Sequence, residues 1–73
     1  MPQNYEEYVS LLQLYKDLKS EVRQFREEFK DKIPTDEDRT RYSTLVLGKK
    51  VHKKMKKMVE KINPEWRAQW KQP

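Results

Sequence analysis

The chain has no cysteine, one glycine and one histidine in 73 residues. Without cysteine no disulfide can staple the fold, and a structural zinc site loses its commonest ligands. His52, standing alone, makes neither a metal site nor a catalytic constellation. No apolar run approaches the roughly 20 residues of a membrane span, and a membrane surface, which would need the apolar face of a cationic helix, is not expected as a partner because that face is required to fold the chain. The opening MPQNYEEY lacks the basic-then-apolar layout of an export signal. With cysteine absent as well, the setting to expect is intracellular, cytoplasmic or nuclear.

Catalysis has little to stand on. Ser10, Ser20 and Ser43 are the serines, and none has a base placed beside it by the sequence. Glu6-Glu7, Glu27-Glu28 and Asp36-Glu37-Asp38 are carboxylate clusters of a kind that helix surfaces carry routinely. Ligand sites usually need a cleft of several hundred cubic ångströms, more than so short a chain is expected to enclose. The expectation is a protein that is not an enzyme and holds no cofactor and no metal.

Large aliphatic residues are also scarce: Leu, Ile, Val and Phe together number 15. That lies at the boundary below which highly charged chains stay disordered. Eight aromatic residues oppose this, because each buries a large area. The spacing of the apolar residues decides for a fold with a thin core.

Residues 4–32 contain no glycine or proline and are rich in residues that lose little entropy in a helix. Tyr8, Leu11, Tyr15, Leu18, Val22, Phe25 and Phe29 follow one another at steps of three and four, an a/d stripe that predicts one long helix. Leu12, Leu14 and Ile33 are expected to widen its apolar face. Ile33-Pro34-Thr35 should end it, since proline disfavours the helical conformation at the residue before it. Thr35 with Asp38 then reads as a capping box, and Asp36, Glu37 and Asp38 suit the positive end of a helix dipole.

A turn at 33–35 is so short that a second helix over 36–62 must return antiparallel. Leu45, His52, Met55, Val59 and Ile62 mark its inner stripe, flanked by Val51 and Met58. Gly48 falls within that face. It either permits a close crossing inside a continuous helix or caps a first segment and splits the helix in two; Tyr42 and Val46, off the stripe, argue for a break. Asn63-Pro64 suits a new helix start, giving a short helical tail over 64–70 with Trp66 and Trp70 on one side. The last three residues are expected to fray. The fold class is all-α: a coiled-coil-like antiparallel helical hairpin with a short C-terminal turn, or three helices if Gly48 breaks the second. The domain is single, 1–73.

Charge is distributed unevenly. Residues 1–34 hold six bases and seven acids, whereas residues 35–73 hold eleven bases and five acids. Lys49, Lys50, Lys53, Lys54, Lys56, Lys57 and Lys61 crowd one side of the second helix, opposite Val51, Met55, Met58, Val59 and Ile62. An amphipathic cationic helix of this kind fits nucleic-acid phosphates or an acidic protein surface, or it simply keeps the outside of the hairpin hydrated. Trp66 and Trp70 either close the open end of the core or anchor a partner.

Two functions are expected from these features. The first is a self-associating protein–protein interaction module, an adaptor or regulator of a larger assembly that uses its apolar face and the two tryptophans and forms a homodimer. The second is an accessory protein that binds DNA or RNA phosphates through the lysine run with little sequence selectivity. Steep salt dependence separates them, since it belongs to phosphate binding.

Overall fold

The computed structural model describes residues 2–70; residues 71–73, where fraying is expected, lie outside that range. The described chain is an antiparallel helical hairpin with a short third helix: α1 (Tyr5–Glu28), α2 (Asp36–Ile62) and α3 (Pro64–Gln69). No strand occurs among the described residues. The molecule is a rod of 44 × 23 × 16 Å.

Each start is fixed by local chemistry. The Asn4 side chain accepts from the Glu7 amide at 2.9 Å, and the Gln3 amide donates back to the Glu7 carboxylate at 2.6 Å. At α2 both halves of the capping box form, Asp38 N–H to Thr35 Oγ1 at 3.1 Å and Thr35 N–H to the Asp38 carboxylate at 3.0 Å. These bonds satisfy helix-start amides that otherwise have no intrahelical partner. Asn63 precedes Pro64 at the start of α3 as expected, but its side chain makes no capping bond. Its backbone links the two helices instead, donating to the Val59 carbonyl and accepting from the Trp66 amide.

Several boundaries and faces differ from expectation. The first helix stops at Glu28, short of residue 32, and the connection runs over 29–35. Phe29 turns back to stack on Phe25, their ring centroids 4.4 Å apart, and the chain beyond it is kept out of the helical region as it nears Pro34. Ile33, expected to widen the core, is 90% exposed, and Leu14 is also exposed. The short third helix ends at Gln69, with Trp70 as its cap.

The second helix passes through Gly48 without a break, and that glycine has no positive φ. Gly48 faces Leu18 of α1, whose methyl carbons would lie 3.6 and 3.7 Å from an added Cβ. Within this continuous helix Thr40 and Thr44 donate their hydroxyls to the carbonyls of Asp36 and Thr40 at 3.0 Å, which satisfies each hydroxyl one turn back along its own helix.

The seven-residue stripe of α1 is buried or half-buried throughout. The core has two parts. At one end Tyr8, Leu11, Leu12 and Val59 are buried together, with Tyr5, Met55, Trp66 and Trp70 packed around them. At the other, Val22 and Phe25 are buried and Tyr42 stacks on Phe25 at 5.0 Å. Tyr42 and Val46 therefore turn inward, while Val51, Met58 and Ile62, expected in the inner face, are exposed.

Candidate cationic groove

One side of the hairpin seam opens into a groove of about 560 Å³. Four of its walls' residues come from one face of α1: Lys16, Lys19, Arg23 and Arg26. At about 100° per residue these four fall within about 80° of one another. None of the six acids of α1 lies in that arc. Across the seam stand Lys49 and Lys56 of α2. The floor is apolar, with Leu12 and Val22 from the core, and Tyr15 and Trp70 supply aromatic surface. No acidic residue lines the groove among the described residues.

The six bases are held differently. Lys56 is ion-paired with Glu60 at 3.1 Å, and it is the only one of the six with such a partner among the described residues. Arg26 donates through Nε to the Tyr42 hydroxyl at 2.7 Å and lies over that ring. The Lys19 ammonium sits 5.6 Å from the centre of the Tyr15 ring, within the range of a cation–π contact. Lys16, Lys19, Arg23 and Arg26 are exposed, whereas Lys49 and Lys56 are half-buried against the seam. The α1 row spans about 15 Å along the helix axis.

The nine residues singled out in the sequence scatter over three places. Lys49, Lys56 and Trp70 line the groove. Lys50, Lys53, Lys54, Lys57 and Lys61 are exposed on the rest of the α2 surface. Trp66 packs on Tyr8 with ring centroids 5.8 Å apart, and both tryptophans cover the end of the core. The α1 bases were missed because residues 1–34 are almost neutral in total. Sorting those residues by angle around the helix, instead of adding their charges, separates bases from acids and would have found them.

Lys56 also belongs to a part-buried polar link. Tyr8, 1% exposed, donates its hydroxyl to Glu60 at 2.7 Å, and Glu60 also receives Lys56. Burial first, and then the bond and negative charge of Glu60, hold the Tyr8 phenol well above its ordinary ionisation range. His52 is half-buried, and its Nδ1 lies 2.7 Å from the Gly48 carbonyl, to which it donates when protonated there. No cluster of His, Cys, Asp or Glu with metal-binding geometry occurs among the described residues. No described helix is long and apolar enough to cross a membrane.

No protein-family model matches the chain, and no curated protein or solved structure shows significant similarity to it.

Proposed function

We propose that this chain is a non-catalytic, intracellular binding module whose working surface is the cationic groove, and that the groove takes the phosphate backbone of a nucleic acid. The observation that carries this reading is the convergence of six bases from two helices on one furrow with no acid in its described walls. Lysines scattered over a helix are ordinarily a hydrated face. Bases aligned from both sides of a concave seam act together on one extended anion.

Duplex DNA presents a phosphate about every 3.4 Å along each strand, so a 15 Å row of cations matches several consecutive phosphates. The apolar floor and the rings of Tyr15 and Trp70 favour a ligand with flat aromatic faces beside its charges. Nucleic acid offers both at every nucleotide, whereas an acidic peptide does so only where aromatic residues stand among its acids. Sequence selectivity should be weak, because four of the six bases are lysines, which offer point charges and no bidentate readout of a base, and Arg26 is tied to Tyr42.

The test is an anisotropy titration with labelled single-stranded and duplex DNA and RNA at about 50 and 200 mM salt. With about five phosphates neutralised, affinity should fall roughly a hundredfold for a single strand and about five-hundredfold for a duplex between the two salts. Lys16→Gln, Lys19→Gln and Arg23→Gln together should remove most binding. Lys50→Gln, Lys54→Gln and Lys57→Gln, outside the groove, should change it little. Absence of binding at the lower salt, or equal losses from both sets, would overturn the groove reading. Tight binding of polyglutamate in place of nucleic acid would assign the groove to an acidic protein.

A second observation favours protein–protein association alongside this. Leu47, Val51, Met58 and Ile62 are 47% to 67% exposed on α2, an apolar area that water alone covers.

A further inference from the structure

The exposed apolar residues of α2 are not scattered. Leu47, Val51, Met58 and Ile62 succeed one another at steps of four, seven and four, with the half-buried Met55 between them, which keeps them in one stripe along the helix. Leu14 of α1 lies across the seam from this stripe, 52% exposed. It shares with Met55 and His52 a shallow depression of about 300 Å³. This face is on the opposite side of the hairpin from the cationic groove.

Charge flanks the stripe in a definite order. On the α1 side are the acids Glu7, Asp17, Glu21 and Glu28; on the α2 side, along the stripe from Leu47 to Ile62, are Lys50, Lys54 and Lys61, with the acids Asp36 and Glu37 on this face only in the first turn of α2. Crossing the face from α1 to α2 therefore meets acid, then apolar, then base. The packing of α1 on α2 fixes which residues stand at equal height. Tyr8 meets Glu60, Gly48 meets Leu18, and Phe25 meets Tyr42. By the same register Asp17 stands level with Lys50, Glu7 with Lys61 and Glu28 with Arg39.

We infer that this face is the contact between two copies of the chain, related by a twofold axis parallel to the helices. Such an axis keeps height and exchanges left for right. It lays the acidic edge of each copy over the basic edge of the other at matching levels, with the apolar stripes between them. A twofold axis lying in the face but across the helices would set acid on acid and base on base. The charge order thus selects both the occupant, a second copy, and its orientation. In this arrangement the two copies of α2 run parallel and the two grooves face outward on opposite sides. The inference does not depend on what the groove binds.

Sedimentation analysis from about 1 to 200 µM tests it. The mass should rise from the 9.0 kDa of the chain toward twice that value. Met58→Glu, at an exposed position, should weaken association at least tenfold while circular dichroism shows the helices retained. Asp17→Lys or Lys50→Asp alone should weaken it, and the two together should restore it. A monomer at every concentration would overturn the inference. So would a dimer indifferent to Met58→Glu, or a charge exchange that fails to restore the losses of its single variants.

Discussion

A buried phenol is tolerated where its hydroxyl finds an acceptor, and Tyr8 finds the Glu60 carboxylate, itself held by Lys56. This is a long-range polar tie between the two ends of the chain. Tyr8→Phe keeps the ring against Trp66 and removes only the hydrogen bond. A bond to a charged group is worth about 1.5–3 kcal/mol, so urea denaturation at pH 7 should show a loss of about that size. The tie also makes stability fall at high pH. Tyr8 ionises near 10.0 when free and higher when folded, so its contribution is complete below pH 10 and is lost as pH rises beyond it. The gap between the parent chain and Tyr8→Phe should narrow between pH 7 and pH 11; a constant gap would mean that the hydroxyl is not carrying the effect. At the acid end the Asp38 carboxyl is held below its ordinary range by the Thr35 backbone and side-chain bonds. That contribution is present above the ordinary value of 3.8 and is lost as pH falls through the folded value.

At the scale of the element, α2 is the instructive helix. Gly48 is helical and in ordinary contact with Leu18, with room for a methyl group. Glycine within a helix costs about 1 kcal/mol relative to alanine. Gly48→Ala should therefore raise stability by about that amount, which for a domain of this size is a Tm increase of about 4–8 °C. A fall in Tm would show that Leu18 cannot yield to the methyl. The sequence made α1 readable because it carries a single apolar stripe, and a helix with one stripe has one way to face its neighbour. The capping box was legible for a similar reason, since Thr35 and Asp38 meet at a fixed spacing. On α2, however, Leu45, His52, Met55 and Val59 run beside Leu47, Val51, Met58 and Ile62. Periodicity alone does not say which of two adjacent stripes meets α1. Tyr42 decides it by stacking on Phe25, a contact between residues 17 positions apart that local pattern does not contain.

For the molecule as a whole, the hairpin was legible and the groove was not. A hairpin follows from two helices and a short connection, whereas the groove depends on which flanks of two helices share a side. The lysine run drew attention to α2, yet four of the six groove bases belong to α1. This placement has a kinetic consequence. Charges gathered on one side steer an oppositely charged partner before contact. In stopped-flow mixing with an oligonucleotide, the association rate should drop at least tenfold between about 20 and 200 mM salt. Reversing Glu21, on the far side of α1, to Lys should alter that rate far less than Arg23→Glu. Equal effects would mean that net charge alone governs the encounter.

The four groove bases of α1 and its acids Glu7, Asp17, Glu21 and Glu28 lie on different flanks of that helix, and this separation contributes an electric dipole moment across the long axis of the rod. Helix macrodipoles point along a helix, and in an antiparallel pair they largely cancel. The transverse moment remains. In the field of a polyanion the molecule experiences a torque about its own length, so it arrives already rolled, presenting one long edge. Transient electric birefringence would measure that moment directly, and it should shrink when the charges of α1 are neutralised with the fold unchanged.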